Sequence, residues 1–477
     1  MIKRSSGILL PIFSLPSPYG IGTLGKAAYD FVDFLADAGQ SWWQILPVGP
    51  TSYGDSPYQS YSTFAGNPYF IDLDMLIEDG LLSKADLKSI DFGDNPHYVD
   101  YEKMYKERFK ILRKVVANAS DDKDFLEFFE ANQNWLPSYA RFMALKDANG
   151  GKAWMDWETD ECNEDDVHFY AYLQYLFYKQ WDALRAYAKE KGIGIIGDIP
   201  IYVALDSADV WANPKEFQLD EKNCPKAIAG VPPDYFSKDG QLWGNPLYDW
   251  EKMKSDGYGW WIRRIEGAQK LYDIIRIDHF RGFESFWAVP YGDKTAKNGQ
   301  WIKGPGMDFV NVLKNWFWNI QFIAEDLGIL TDDVRTLLKD STFPGMKVLE
   351  FAFDSKEPSD YLPHNYDKNC VCYAGTHDND TLKGWIQTAS KDDIAFAKEY
   401  LNTEEDLISA ILRAGMASTA DLFVAQIQDY LELDSSARIN VPGTLGDNWK
   451  WRLDKSQLDK KLAKKIKKMT KLYGRVK

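Results

Sequence analysis

Tyr272-Asp273-Ile274-Ile275-Arg276-Ile277-Asp278-His279 is a short apolar run that carries an arginine and an aspartate two residues apart near its end. It lacks polar alternation, which marks a strand buried on both faces. Seven further runs read the same way: Gly7 to Ile12, Trp42 to Val48, Gly194 to Ile199, Ile320 to Asp326, Lys347 to Phe351, Cys370 to Ala374 and Leu422 to Ile427. Amphipathic helical patterns separate most of them, for example Ala27 to Ala38 and Asp332 to Leu338. Strands alternating with helices imply a parallel sheet with crossover helices, and eight such units predict an α/β fold of the (β/α)₈ barrel type.

Two connections are too long for simple crossovers, so insertions are expected after strands 2 and 3. The first carries a polar, aromatic loop, Thr51 to Pro68, and then a charged, helix-rich stretch from Ser83 to Lys191. The helical part, 83–191, reads as a subdomain beside a single barrel that spans 1–477. The second insertion, 200–271, contains Gly230-Val231-Pro232-Pro233-Asp234-Tyr235-Phe236 and Gly240-Gln241-Leu242-Trp243-Gly244-Asn245-Pro246. Glycine and proline at that density predict turns. The basic segment Lys455 to Lys477 repeats Leu458, Leu462, Ile466, Met469 and Tyr473 at helical spacing and predicts an amphipathic helix that closes the barrel.

Composition narrows the chemistry. The 477 residues hold 56 Lys+Arg against 71 Asp+Glu, a formal charge of −15, which argues against nucleic acid or an anionic membrane as partner. Aromatics make up 15% of the chain, and most of them must fill the core, so only those in loop motifs bear on binding. No secretory or membrane-spanning segment is read, and Cys162, Cys224, Cys370 and Cys372 fit reduced thiols better than a disulfide framework or a zinc site. A cytoplasmic location is expected. Gly20-Ile21-Gly22-Thr23-Leu24-Gly25 matches a nucleotide-binding glycine pattern, yet Ala27 stands where a phosphate loop needs Ser or Thr, and no ribose-binding acid ends the second run. It reads as a tight turn opening a helix, and no cofactor is expected.

Barrels place their reactive groups at the C-terminal ends of the strands. Asp198, Arg276 with Asp278, Glu325 with Asp326, and His377 with Asp378 fall at or just beyond four of those ends. Arg276 and Asp278 project to one side of their strand. The arginine would hold the aspartate ionised, as a nucleophile requires, or the two would form an ion pair that only closes the barrel interior. Glu325 ends an apolar strand, where desolvation would keep it protonated as a general acid, or it caps the following turn. An ionised nucleophile and a proton donor about 5 to 5.5 Å apart are what a retaining glycosidase or transglycosylase needs. A divalent metal is disfavoured, because the chain has five histidines and no His-x-His or Glu-x-x-His spacing.

Taken in order, the motifs resemble glycoside hydrolase family 77, the 4-α-glucanotransferases or amylomaltases. They run Gly7-Ile8-Leu9-Leu10-Pro11, Ser56-Pro57-Tyr58-Gln59, Gly66-Asn67-Pro68, Gly197-Asp198-Ile199-Pro200-Ile201-Tyr202 and the Gly230 to Pro246 stretch. Arg276-Ile277-Asp278-His279-Phe280-Arg281-Gly282, Ala324-Glu325-Asp326-Leu327-Gly328, Gly375-Thr376-His377-Asp378-Asn379 and Asn440-Val441-Pro442-Gly443-Thr444 complete the series. The resemblance implies Asp278 as nucleophile, Glu325 as acid/base and Asp378 as transition-state stabiliser. It also implies Asp198, Arg276 and His377 around the reacting sugar, and a substrate lid carrying Asp234, Gln241, Trp243 and Asn245. Tyr58 would be a stacking contact away from the bond broken, and Asp354 an acceptor-side contact. It implies no C-terminal β-sandwich. The expected partners are α-1,4-glucans, maltooligosaccharides and glucose. An α-1,4-glucan hydrolase on the same barrel, or a non-catalytic carbohydrate-binding protein, is the alternative.

Overall fold

The computed structural model describes residues 2–52, 54–233, 237–328 and 330–476. Twelve strands are present among them: β1 Ser5–Leu9, β2 Trp42–Gln44, β3 Gly194–Ile199, β4 Ala227–Val231, β5 Gln241–Pro246, β6 Ile274–Ile277, β7 Ser285–Pro290, β8 Gln300–Lys303, β9 Gln321–Ala324, β10 Gly345–Val348, β11 Cys370–Tyr373 and β12 Leu422–Gln426. Eight of them form one parallel sheet in the order β10-β11-β12-β1-β2-β3-β6-β9. These are the eight expected runs, and the sheet curls into a nearly closed barrel.

The seam lies between β9 and β10. There the Ala324 N–H donates to the Pro344 carbonyl at 2.9 Å, and the Met346 N–H donates to Asp326 Oδ1 at 2.6 Å. A side chain thus stands in for a rung of the ladder. Asp326, 6% exposed, was grouped by sequence with the reactive acids, and its place is this seam. The sixth run starts earlier than expected: Gly345–Val348 is the strand, and Leu349–Phe351 turns into a short 3₁₀ helix. Packing between the barrel wall and the helix outside it is tight enough to dictate a glycine, since the Tyr272 ring, set against Trp181, occupies the space that a Cβ on Gly197 would need.

Most of the first long connection is helical. It ends in Glu164–Glu190, whose buried Phe177, Trp181, Leu184 and Ala188 pack it onto the barrel before β3. At the C-terminus, helix Lys460–Leu472 buries Ala463, Ile466, Met469 and Thr470. Its lysines stay on the exposed side, as an amphipathic stripe requires. Gly25 caps helix Lys26–Asp37, so the glycine pattern at 20–25 opens a helix, as read.

The second long connection differs from expectation. Both ends of the Gly230 to Pro246 stretch are strand: β4 closes at Val231 and β5 covers Gln241–Pro246, and the two pair antiparallel and continue into β7 and β8, in the order β5-β4-β7-β8. The glycines mark irregularities within that sheet. The β4–β5 register shifts between Ile228 and Gly230, and Gly240 and Gly244 have positive φ. This small sheet therefore combines the loop after β3 with the segment that follows β6. No helix among the described residues is long and apolar enough to cross a membrane.

Candidate active site

The site begins with strand register. Asp198 on β3 pairs with Arg276 on β6, and Ile277 on β6 pairs with Ala324 on β9. Asp278 and Glu325 are the next residues on two hydrogen-bonded neighbours, whose spacing in a sheet is about 4.8 Å. Backbone bonds carry the register one step beyond the named strands, with the Asp278 N–H on the Ile199 carbonyl at 2.9 Å and the Glu325 N–H on the Ile277 carbonyl at 3.0 Å.

Arg276 organises the floor. One guanidinium nitrogen lies 2.6 and 2.7 Å from the two Asp198 carboxylate oxygens and 3.0 Å from Asp278 Oδ1. The Asp198 side chain is fully buried, whereas that of Asp278 is 30% exposed and so open to a ligand. Burial raises Asp278 to about 6 even though Arg276 opposes that rise, because Asp198 and Asp378 repel its charge. Arg276 favours the charged form of Asp278, in the direction read from sequence, but the cation is shared with a second carboxylate and desolvation is the larger effect.

Glu325 is 8% exposed and is held by main chain at both oxygens. The His279 N–H donates to Oε2 at 2.7 Å and the Leu327 N–H to Oε1 at 2.7 Å. The Leu327 contact is the turn cap considered from sequence, and it leaves the carboxyl beside Asp278 on the neighbouring strand. Burial, and then the Asp278 charge, lift it to about 8. His279 makes this possible by adopting a left-handed backbone, φ 53°. Its imidazole is pushed down to about 3 by burial and so stays neutral beside Trp243, with ring centroids 4.8 Å apart.

The opposite side comes from the loops after β11 and β12. His377 Nε2 lies 3.3 Å from Asp378 Oδ1, and the Asn440 side-chain amide donates to the same oxygen at 2.6 Å. Arg438 donates to the Asp378 carbonyl at 2.6 Å. Arg438 had not been singled out, and Asn440 only as part of a motif. The signal was available, because both lie in the loop that follows β12, the eighth strand of the barrel sheet.

Tyr58 departs from its expected place. Its hydroxyl donates to Asp198 Oδ2 at 2.8 Å and its ring stacks on His377 at 5.1 Å, so it sits in the cluster and not away from it. Trp449 packs against both rings, at 5.8 and 6.0 Å. Gln241, Trp243 and Asn245 alternate along β5, and the Trp243 indole N–H donates to Gln241 at 3.2 Å. Asn245 accepts from Gln59 at 3.2 Å and donates to the Val203 carbonyl at 2.8 Å, which fastens β5 to the loops after β2 and β3. Asp354 is exposed in a turn, where it accepts the Lys356 N–H at 2.8 Å. Asp234 lies outside the described residues.

Among the described residues, no group of three or more His, Cys, Asp and Glu has the arrangement of a metal site, and the four cysteines are free. A shared cation, one open carboxylate and one buried proton-holding carboxyl on adjoining strands is a donor and nucleophile arrangement suited to cleaving a glycosidic bond.

Comparison with known proteins points the same way. Residues 10–458 match the glycoside hydrolase family 77 model, described as 4-alpha-glucanotransferase. The 4-alpha-glucanotransferase of Clostridium butyricum is 50% identical over 483 residues, covering 97% of this chain and 99% of that protein. That of Thermus thermophilus is 44% identical, with 100% of each chain covered. The amylomaltase from Streptococcus agalactiae, solved in complex with acarbose, superposes with a TM-score of 0.97 at 40% identity over 100% of both chains. The chain is therefore a member of glycoside hydrolase family 77 and a 4-α-glucanotransferase.

Proposed function

We propose that the enzyme moves a segment of α-1,4-glucan to the 4-hydroxyl of glucose or of another glucan by two displacements at one carbon, retaining the anomeric configuration. The observation that carries this reading is the adjacency of Asp278 and Glu325 on paired strands, one raised only to about 6 and the other to about 8. Between those values the pair holds one proton, on Glu325.

In the first displacement a carboxylate oxygen of Asp278 bonds to the anomeric carbon. The glycosidic bond breaks, and its oxygen takes the Glu325 proton as the leaving chain departs. In the second, Glu325 takes the proton of the incoming 4-hydroxyl, whose oxygen bonds to the anomeric carbon as the bond to Asp278 breaks. Asp378, held by Asn440, accepts hydrogen bonds from sugar hydroxyls that strengthen as the ring flattens. Asp198, Tyr58 and Arg276 form the floor beneath that sugar, and His377 flanks it. Trp243, half-buried on β5, covers the sugar on the lid side and keeps water from the intermediate. Asp354 is kept as an acceptor-side contact and Asp234 as a lid contact in this proposal. The organisation proposed is one catalytic barrel with a helical insertion over 83–191 and the lid within 200–271. Free cysteines fit a reducing, cytoplasmic compartment.

Incubation with pure maltotriose tests the reading. Transfer produces a ladder of glucans with a nearly constant number of reducing ends, whereas a steady rise in reducing ends would mean hydrolysis. Asp278→Asn is expected to abolish turnover in a folded protein, and retained turnover would remove Asp278 as nucleophile.

A further inference from the structure

One part of the first long connection reaches the site. Residues 97–101, which play no part in the chemistry above, form a strap that runs antiparallel to residues 449–452 in the loop after β12. The Arg452 N–H donates to the His97 carbonyl at 2.7 Å and the Val99 N–H to the Lys450 carbonyl at 2.8 Å, with Tyr98 bridged to Trp451 between them. Two phenols fasten the strap further. The Tyr98 hydroxyl donates to the Ser436 carbonyl at 2.7 Å, and the Tyr101 hydroxyl to the Trp449 carbonyl at 2.8 Å. The segment is also held by Ser14, whose hydroxyl donates to the Trp451 carbonyl at 2.7 Å.

Trp449 is the residue that this strap meets at the site. It is buried and has φ 64°, a left-handed backbone that a bulky side chain rarely adopts and keeps only where the surroundings enforce it. The enforcement is on both sides of the residue: the Trp449 N–H donates to the Ile439 carbonyl at 2.8 Å, and the Trp449 carbonyl accepts the Tyr101 phenol. In that conformation the indole lies 5.8 Å from the Tyr58 ring and 6.0 Å from the His377 ring, and those two rings stack on each other at 5.1 Å. Tyr58 in turn bonds to Asp198, and His377 lies against Asp378. Three rings therefore form one support beside the reactive acids, and its third member is the one that the strap holds.

We propose that Tyr101 and Trp449 are positioning residues: the Tyr101 phenol holds Trp449 in its left-handed conformation, and the Trp449 indole braces the Tyr58–His377 pair beside the reacting sugar. The proposal rests on the places given above to Tyr58 and His377 around that sugar. It gives the first long connection a part in turnover, delivered through one hydrogen bond and one ring. It also makes a specific demand of substitution. Glycine adopts a positive φ without strain, so Trp449→Gly removes the ring and relieves the backbone, whereas Trp449→Ala removes the ring and keeps the strain. Activity and stability should then part company, which a merely structural role does not allow.

The test compares Tyr101→Phe, Trp449→Phe, Trp449→Ala, Trp449→Gly, the double variant Tyr101→Phe with Trp449→Ala, and His377→Ala by initial glucose release from maltotriose. Thermal midpoints are measured so that each is assayed while folded. Trp449→Gly is expected to be at least as stable as Trp449→Ala, yet both should lose about tenfold or more in kcat with KM little changed, and Trp449→Phe, which keeps a ring, should recover most of that loss. Tyr101→Phe should lose about fivefold in kcat in the parent and nothing further in the Trp449→Ala background, because its effect runs through the indole. Losses that multiply in the double variant would overturn the link between the two residues. Parental kcat in Trp449→Gly, or a kcat that simply follows the thermal midpoint across the series, would overturn the positioning role. If neither truncation folds, Tyr101→Phe decides the question: a loss in kcat at unchanged KM supports the proposal, and parental kcat overturns it. A His377→Ala enzyme with parental activity would instead bring down the placement of His377 beside the sugar, whatever the other variants do.

Discussion

Asp198→Asn removes one of two carboxylates that share a single nitrogen of Arg276. That nitrogen lies 2.6 Å from Asp198 Oδ2 and 3.0 Å from Asp278 Oδ1, so the two oxygens are no farther apart than those two lengths laid end to end. At an effective dielectric of about 20, unit charges about 5 Å apart repel by roughly 3 kcal/mol, which is about 2 pKa units. Solvent reaching the 30% exposed Asp278 side chain screens part of this, which leaves a shift of about 1 unit. In the parent, kcat/KM should follow a bell with an acid limb at about 6 and an alkaline limb at about 8, both belonging to the coupled pair. A lower value for Asp278 keeps the nucleophile ionised in more acid solution. The acid limb should therefore move down by about 1 unit in the variant, while the alkaline limb, set by the Glu325 proton, stays in place. The height of the bell falls too, since Asp198 loses its own contacts, so the limb positions are the readout. The assay is initial glucose release from maltotriose across the pH range. An acid limb that stays put or moves up would refute the view that Asp198 and Arg276 together set the charge of Asp278.

Asn440→Ala removes the amide that holds Asp378 at 2.6 Å, a bond to a charged group, and kcat should fall by about ten- to a hundredfold with KM little changed. Trp243→Ala uncovers the lid side of the sugar, so reducing ends produced per transfer from maltotriose should rise; an unchanged ratio would remove Trp243 from water exclusion. Asp429 is raised by burial to about 7, against about 4 in an unfolded chain, so the fold retains its proton and loses stability as pH climbs from about 4 through about 7. Asp429→Asn lacks that loss, and its thermal midpoint above about pH 8 should exceed the parent's by a few degrees, the gap closing below about pH 5.

The barrel was legible because its strands are buried on both faces and so appear as unbroken apolar runs between amphipathic helices. The small sheet was not. β7 alternates partly buried and buried residues over its first four positions only, with Gly282 and Gly292 on either side, and β4 and β5 carry glycines at a register shift and at a positive φ, so local pattern speaks for turns. Its order is set by pairing between segments more than forty residues apart, such as Gly230 with Trp287. That Asp198, Asp278 and Glu325 lie together was legible from their place at strand ends. The charge balance was not, because it depends on Asp198 and Asp278 sharing one nitrogen of Arg276, a fact of register between β3 and β6. Tyr58 was misplaced for a similar reason, since a long loop alone does not reveal that its hydroxyl returns to Asp198.

The left-handed turn at His279 has a consequence for how such enzymes can diverge. Asp278 and the amide that grips Glu325 belong to consecutive residues, so one peptide unit ties the attacking atom to the seat of its partner. Under the proposed retaining mechanism, the seat of the acid/base is thereby fixed by main chain next to the proposed nucleophile, where a side-chain replacement does not reach it. In the proposed mechanism, replacing loop side chains around the site leaves that link between the two carboxyls in place.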